Sequence, residues 1–174
     1  MLPAEAPGAV TAFVGLGANL GDPAQALAAA LNALQQLPRT RLTGASSLYR
    51  SAPVDAGGPD FLNAVARIET GLAPEPLLAA LLAIEQAQGR ARPYHHAPRT
   101  LDLDLLLYGD TVLDTPRLSL PHPRLHRRAF VLLPLLELAP LQEAPGLGML
   151  AAYLPGVAEQ AIARLPPSVP SAAA

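Results

Sequence analysis

The order of strand-like and helix-like segments limits the folds open to this chain. Residues 10–17, 41–51, 60–70 and 100–108 have the composition and bounding turns of strands. Residues 23–37 and 74–89 are rich in alanine and leucine and have the pattern of helices that separate those strands. The order βαββαβ predicts an α+β, ferredoxin-like core with an antiparallel sheet.

Local signals set the ends of these elements and indicate further elements after the core. Asp22 is a suitable N-cap with Pro23 at the first helical position, and Gly89 is a suitable C-cap for the second helix. A turn at 109–110 predicts an additional hairpin, and residues 124–138 and 148–154 predict C-terminal helices, the first strained by Pro134. We expect one domain over residues 1–160 and a disordered tail over 161–174.

Composition excludes several classes of function. The net charge of −2 provides no basic field for nucleic acid or for an anionic membrane surface, and no apolar run approaches the ~18 residues of a membrane span. Cysteine is absent, so disulfides and thiol catalysis are excluded, and a cytoplasmic location is expected. Lysine is absent too, which excludes a Schiff-base or P-loop lysine.

The segment PRTLDLDLLLYGD, residues 98–110, carries the strongest chemical signal. Residues two apart in a strand point to the same face, so Asp102 and Asp104 face one way and the intervening leucines face the core. Paired carboxylates suit Mg²⁺ with substrate phosphates, although a solvated strand face is an equally simple explanation of the pair alone. Seven of the 12 arginines lie between residues 90 and 128, and this clustering favours a metal–phosphate site: Arg90, Arg92, Arg99, Arg117, Arg124, Arg127 and Arg128.

Two other motifs are weaker. GLGANLG, residues 15–21, has its third glycine one position too late for a dinucleotide fingerprint, so we interpret it as a mainly structural turn from strand to helix. His122 and His126 are four apart, but Pro123 lies between them and no third ligand has regular spacing, so we expect no zinc site. His122 is better suited to contact a phosphate or cap a turn.

A flat heterocycle is a second possible ligand. Phe61 and Asn63 share one face of the strand in DFLNAVARIET, residues 60–70, and an aromatic ring beside an amide can stack on a heterocycle and bond its edge. Phe130 could supply a second ring. The simpler alternative is a core phenylalanine with a satisfied asparagine.

Together these segments resemble one family, hydroxymethyl-dihydropterin pyrophosphokinase of folate biosynthesis. The resemblance runs in order over residues 12–140 through FVGLGANLGDP, SSLYRSAPV, DFLNAVARIET, IEQAQGRAR, PRTLDLDLLLYGD and LPHPRLHRRAFVLLPLLELAP. It implies transfer of pyrophosphate from ATP to 6-hydroxymethyl-7,8-dihydropterin, with release of AMP. It also implies two Mg²⁺ ions and possible association with other folate-pathway enzymes.

The resemblance implies roles for individual residues. Asp102 and Asp104 would bind both metal ions, and Arg90 and Arg99 would be catalytic arginines on the phosphates. The remaining implied residues form an ATP-binding set of Glu85, Arg92, Arg117, Ser119, His122 and Arg128, and a pterin-binding set of Ser51, Pro53, Val54, Phe61, Asn63 and Phe130. Residues 90–98 would form a lid that becomes ordered over bound substrates.

Two other functions remain open on the residues alone. Nucleotidyl transferases also mount paired acidic residues on ferredoxin-like sheets, and a non-catalytic ligand-binding module would explain the fold without the Asp–Arg constellation. Turnover of ATP with Mg²⁺ would exclude the binding module, and release of AMP or of pyrophosphate would separate the two enzymes.

Overall fold

A computed structural model describes residues 9–53, 58–89 and 101–167. The predicted site residues Val54, Arg90, Arg92 and Arg99, and the predicted lid over 90–98, lie outside the described residues. Among the helices described, none is long and apolar enough to cross a membrane.

The core has the predicted order of elements. Strand β1 (Val10–Ala18) leads into helix α1 (Pro23–Gln35), followed by β2 (Thr40–Ala45), β3 (Tyr49–Ser51) and β4 (Phe61–Thr70). Helix α2 (Pro74–Gly89) and strand β5 (Asp102–Tyr108) complete it. Asp22 caps α1 as predicted, because its side chain accepts a hydrogen bond from the backbone nitrogen of Gln25.

The remaining elements lie beyond β5. Two hairpins are formed by β6 (Leu113–Asp114) with β7 (Ser119–Leu120) and by β8 (Glu143–Ala144) with β9 (Gly148–Met149). The helical segments are a 3₁₀ turn (Leu125–Arg127), helix α3 (Ala129–Leu138) and a 3₁₀ helix (Leu150–Val157), and the last strand is β10 (Ile162–Arg164).

All pairings in the main sheet are antiparallel, and its order is β10-β3-β4-β1-β5, with β2 also paired to β4. The sheet separates two apolar clusters. One contains buried residues of α1 and α2, such as Leu27 and Leu81, while the other contains Leu132 and Leu135 of α3. The predicted α+β, ferredoxin-like core is therefore confirmed.

Several details differ from the predictions. The strand after the turn at 109–110 does not pair with β5, because β6 forms its hairpin with β7 instead. The strand expected over 41–51 is divided into β2 and β3, because residues 46–48 leave the ladder. The helix expected over 124–138 is interrupted at Arg128, whose backbone is extended with φ −124° and ψ 119°. The disordered tail expected over 161–174 is wrong for β10, which pairs with β3 through Ile162 opposite Ser51. Three residues at a sheet edge are too short a run to give a strand signal.

Candidate active site

A cavity of about 550 Å³ opens on the sheet beside the first turn of α3. Strands β1, β3, β4 and β5 and helix α3 all contribute side chains or backbone to it. Its lining consists of Gly15, Leu16, Gly17, Asn19, Ser51, Ala52, Pro53, Phe61, Asn63, Ala64, Asp102, Asp104, Arg128, Phe130 and Val131.

Strand register places an amide and a carboxylate at opposite ends of one row across this cavity. Gly17 of β1 pairs with Asn63 of β4 on one side and with Asp102 of β5 on the other. Residues in one row of neighbouring strands share a face of the sheet, and two strand spacings separate the outer backbones by about 10 Å. Because the middle residue is glycine, the space between the amide and the carboxylate is open.

Asp102 and Asp104 form the acidic end of the cavity. Both side chains are exposed, and Leu103 between them is buried, as the alternation in the sequence predicts. Their strand is fixed from outside the sheet, because the backbone nitrogen of Leu103 donates a 2.6 Å hydrogen bond to Glu85 Oε2 of α2. The two carboxylates therefore lie on a strand that is fixed by this hydrogen bond, and both face the cavity.

The carboxylates of Asp102 and Asp104 are a donor set suited to Mg²⁺. Within the described part of the chain, no group of three or more His, Cys, Asp or Glu side chains is arranged to hold a metal ion. Mg²⁺ commonly takes only one or two protein carboxylates and completes its octahedron with water and substrate phosphates. The donor set on β5 thus fits Mg²⁺ that arrives with a phosphorylated substrate.

Asn63 forms the amide end of the cavity and is only 3% exposed. Its Nδ2 donates to Ser51 Oγ at 2.8 Å and lies 3.4 Å from the carbonyl oxygen of Tyr49. A backbone carbonyl can only accept, so these partners fix which side-chain atom is nitrogen. Oδ1 is left beside Gly17 as an acceptor for a ligand that carries N–H donors.

Two aromatic rings contribute to the walls of the cavity. Phe61 begins β4 and Phe130 lies in the first turn of α3, and both line the cavity. The guanidinium carbon of Arg128 lies 5.5 Å from the centre of the Phe130 ring, within the range of a cation–π contact. An apolar ring and a positive charge therefore stand together on the α3 side.

His122 lies close enough to Asp104 and Arg128 for their charges to affect its pKa. Its backbone nitrogen donates to Leu106 O of β5, and its Nδ1 accepts from the backbone nitrogen of Arg124 at 3.1 Å. Burial lowers the pKa of His122 below its ordinary value; Asp104 opposes this shift, while Arg128 and Arg124 add to it. A neutral ring that accepts at Nδ1 carries its proton on Nε2, so it can donate from Nε2.

The cavity brings together eight of the predicted site residues: Ser51, Pro53, Phe61, Asn63, Asp102, Asp104, Arg128 and Phe130. Four others are described but do not line it. Glu85 bonds β5, Arg117 lies 3.8 Å from exposed Glu75, Ser119 belongs to the β6–β7 hairpin, and His122 caps its own turn. Their proposed contacts with ATP stay predictions.

Gly15 and Gly17 lie in β1, within the strand predicted over residues 10–17, but they also line the cavity, whereas the sequence predicts a mainly structural role for their motif. A Cβ at residue 17 would stand 3.3 Å from Asn63 Oδ1, closer than most Cβ contacts. Two glycines at alternate positions of one strand are the signal that could have identified them, since glycine in a strand often marks close approach of a ligand. Asn19 was also missed.

Comparisons with known proteins identify the family of this chain. A family model described as 7,8-dihydro-6-hydroxymethylpterin-pyrophosphokinase matches residues 13–140. A 2-amino-4-hydroxy-6-hydroxymethyldihydropteridine pyrophosphokinase of Pseudomonas aeruginosa is 48% identical over 155 residues, which cover 88% of this chain and 96% of that one. The enzyme of the same name from Haemophilus influenzae is 48% identical over 131 residues, covering 75% of this chain and 82% of its own.

Solved structures with the same fold include longer chains. The wild-type Plasmodium falciparum HPPK-DHPS structure aligns with a TM-score of 0.65 at 14% identity over 83% of this chain, which spans 40% of that one. An HPPK-DHPS structure in complex with substrates aligns with a TM-score of 0.67 at 11% identity over 87% of this chain and 44% of its own. At such low identities, the likeness to solved structures shows only a shared fold. The family model and the relatives at 48% identity show more: the chain belongs to the 7,8-dihydro-6-hydroxymethylpterin-pyrophosphokinase family.

Proposed function

We propose that this protein is an ATP-dependent pyrophosphokinase of folate biosynthesis that acts on 6-hydroxymethyl-7,8-dihydropterin. The observation that carries the proposal is the row from Asn63 across Gly17 to Asp102. This row places the Asn63 amide and the Asp102 carboxylate at the two ends of one open cavity. A heterocycle can bond to the amide at one end while phosphate groups react beside the carboxylate at the other.

The pterin occupies the amide end. Its bicyclic ring stacks between Phe61 and Phe130, and its amino-pyrimidine edge donates to Asn63 Oδ1. Ser51 and Pro53 border the same end of the cavity. In this orientation the hydroxymethyl group lies toward Asp102 and Asp104.

The nucleotide phosphates occupy the acidic end. Asp102 and Asp104 would hold Mg²⁺, which when bound neutralises charge on the phosphate oxygens. Arg128 provides a guanidinium beside Phe130, and the Nε2–H of His122 provides a neutral donor. By resemblance, Arg90, Arg92 and Arg99 act on the same phosphates.

The reaction is a displacement at phosphorus. The hydroxymethyl oxygen forms a bond to the β-phosphorus of ATP, and the bond from that phosphorus to the bridging oxygen of the α-phosphate breaks. The bridging oxygen leaves with AMP, and the hydroxyl proton passes to solvent. The protein supplies position and charge rather than a covalent nucleophile. The polar side chains that line the cavity are those of Asn19, Ser51, Asn63, Asp102, Asp104 and Arg128, and the Ser51 hydroxyl already accepts a hydrogen bond from Asn63 Nδ2.

Product analysis tests this proposal. Purified protein with ATP, Mg²⁺ and 6-hydroxymethyl-7,8-dihydropterin should form one AMP for each pterin diphosphate. Formation of ADP with a pterin monophosphate would contradict pyrophosphate transfer, and release of inorganic pyrophosphate would indicate nucleotidyl transfer. Absence of ATP turnover, with pterin still bound, would favour a binding module.

Association with other folate-pathway enzymes is a further part of the proposal. It is supported by the HPPK-DHPS chains that share this fold and by the 40% identical Folic acid synthesis protein fol1 of Schizosaccharomyces pombe, of which this chain covers 18%. Pull-down from cell extract with the purified protein as bait, with identification of the retained enzymes, tests it. The cytoplasmic location stays a prediction from composition.

A further inference from the structure

The break in the helical segment at Arg128 leaves two backbone groups in need of partners. The extended backbone of Arg128 separates the 3₁₀ turn Leu125–Arg127 from α3. In a continuous α-helix, Ala129 N–H would bond to Leu125 O, and Arg127 O would accept from Val131 N–H. Val131 N–H instead bonds to Arg128 O, and Ala129 N–H points to a partner outside the helix, so neither of those helical bonds forms.

The side chain of Gln160 supplies both missing partners. Its Oε1 accepts from the backbone nitrogen of Ala129 at 2.9 Å, and its Nε2 donates to Arg127 O at 2.8 Å. One amide thus joins the residues immediately before and after Arg128. It also fixes the start of α3, from which Phe130 projects into the cavity.

Gln160 is in turn connected to the opposite wall of the cavity. Its backbone nitrogen bonds to Val157 O at the end of the preceding 3₁₀ helix. Two residues later β10 begins, and Ile162 pairs with Ser51 of β3. Residues 160–162 therefore connect the wall that carries Arg128 and Phe130 to the wall that carries Ser51.

Gln160 does not line the candidate active cavity. It lines a neighbouring cavity of about 510 Å³, which shares Pro53 and Phe130 with the candidate active cavity. Both polar atoms of its side chain bond to the backbone of Ala129 and Arg127, so its effect on substrate passes through residues that line the active cavity. It also lies beyond residues 13–140, the part of the chain that matches the family model.

We propose that Gln160 is a positioning residue for substrate binding, which holds Phe130 and Arg128 toward the cavity by bridging the backbone on both sides of Arg128. This inference rests on the proposed stacking of pterin on Phe130. The chain segment after the family match is then part of the functional unit, because it sets the geometry of one wall.

Replacement of Gln160 by methionine tests the proposal, since Gln160→Met keeps the length of the side chain and removes both hydrogen bonds. The fluorescence of 6-hydroxymethylpterin, titrated with protein in the presence of Mg²⁺ and a non-hydrolysable ATP analogue, reports the pterin Kd. We expect that Kd to rise about tenfold, as loss of two ordinary hydrogen bonds allows. Because Gln160 is exposed, we expect the Tm to change little.

Gln142→Met is the matched control. Gln142 also makes a 2.9 Å side-chain bond to backbone, with Glu143 O as acceptor, but it lines neither cavity. We expect its pterin Kd to equal that of the unmodified protein. Equal Kd values for Gln160→Met and Gln142→Met would overturn the proposal.

A double-mutant cycle with Phe130→Ala separates positioning from general destabilisation. If Gln160 acts through Phe130, Gln160→Met raises the pterin Kd much less in the Phe130→Ala protein than in the unmodified one. Equal fold-changes in both backgrounds would overturn the proposal, as would a loss of Tm with no change in Kd. If the unmodified protein binds no pterin, the proposed function itself has failed, and this inference fails with it.

Discussion

Asn63 Nδ2 donates a 2.8 Å hydrogen bond to Ser51 Oγ across the β3–β4 pair, and this bond orients the amide that faces the cavity. The side chain thereby presents Oδ1 as an acceptor in a buried position. A site arranged in this way discriminates by its donors and acceptors, because an unpaired buried acceptor is costly.

We expect Asn63→Leu to weaken pterin recognition strongly. The change keeps the number and branching of the side-chain heavy atoms but removes the acceptor proposed for the pterin edge and leaves Ser51 without its donor. We expect kcat/KM for pterin to fall about 30-fold, or about 2 kcal/mol, the size typical of a lost buried hydrogen bond. Steady-state kinetics with saturating ATP measure this value.

Ser51→Ala provides the comparison for Asn63. It removes one bond to the amide but leaves Oδ1 and the neighbouring Tyr49 carbonyl in place, so its effect on kcat/KM should be smaller than that of Asn63→Leu. If Asn63→Leu retains the kcat/KM of the unmodified protein, the pterin does not use this edge.

Gly17→Ala should impair pterin binding without unfolding the protein. The added Cβ would lie 3.3 Å from Asn63 Oδ1, so the amide must move or the cavity must narrow. We expect a rise of about tenfold in the pterin Kd, measured by fluorescence titration, equivalent to about 1.4 kcal/mol.

Gly15→Ala is the comparison on the same strand; Gly15 also lines the cavity, but an added Cβ there lies closest to Leu106 rather than to Asn63, so we expect a smaller rise in the pterin Kd than for Gly17→Ala. Its Cβ would meet a methyl of Leu106 at 3.4 Å, an ordinary van der Waals distance, and would leave the amide untouched. A similar loss of pterin affinity in both variants would contradict a specific role for residue 17.

The strand and helix order could be predicted because the signals for it are local. The alternation around Leu103 depends on a few neighbouring residues, and Asp22 caps α1 through a residue three positions away. The pairing of Asp102 with Asp104 on one exposed face results from the same short-range rule. The residues of the cavity in β3 were assigned only through resemblance.

The features that could not be predicted depend on distant parts of the chain. The break at Arg128 is stabilised by a side chain 31 residues beyond Ala129, which the sequence around the helix does not reveal. Strand β10 has only three residues and forms because β3 offers an edge. Gly17 matters through Asn63 and Asp102, which become its neighbours only when the sheet assembles.

Asp102→Asn and Asp104→Asn should each nearly abolish turnover while the protein stays folded. Both side chains are exposed on β5, so loss of charge costs little stability, whereas removal of one hard ligand weakens metal capture. We expect kcat to fall on the order of a thousandfold, with a higher Mg²⁺ concentration for half-maximal rate.

Asp114→Asn is a suitable control for the β5 carboxylates, because Asp114 is exposed and does not line the cavity. Its kcat and Mg²⁺ dependence should match those of the unmodified protein. Normal Mg²⁺-dependent rates in both β5 variants would contradict the metal assignment.

Glu137 of α3 should make stability depend on pH in the acid range. Its carboxylate accepts from the backbone nitrogen and Oγ of Ser47 and from the Tyr49 hydroxyl at 2.8 Å, and Arg164 lies 3.4 Å away. Burial alone would raise the pKa of Glu137, but these hydrogen bonds and the Arg164 charge outweigh it, so the pKa lies below its ordinary 4.5. The ionised form is therefore favoured in the folded protein.

The lowered pKa of Glu137 determines the sign of the pH effect. Below pH 4.5 the unfolded chain binds the proton more readily than the folded protein, so the stability contributed by Glu137 is complete above that pH and is lost as the pH falls further. We expect Glu137→Gln to lower the free energy of unfolding by about 2 kcal/mol at pH 7. Urea denaturation at pH 7 and pH 3 measures the difference, which should shrink at pH 3.

Glu143→Gln is the control for a carboxylate without such partners, because the Glu143 side chain makes no hydrogen bond or ion pair among the described residues. Its free energy of unfolding should match that of the unmodified protein at both pH values.

Tyr49 should make stability depend on pH in the alkaline range. Burial and Glu137 raise the pKa of Tyr49 to about 12, so the stability from its neutral hydroxyl is lost as the pH rises from 10. Tyr49→Phe should remove that alkaline loss of stability. For Glu137, an equal reduction in the free energy of unfolding by Glu137→Gln at pH 7 and at pH 3 would show that the carboxylate is not preferentially ionised in the folded protein.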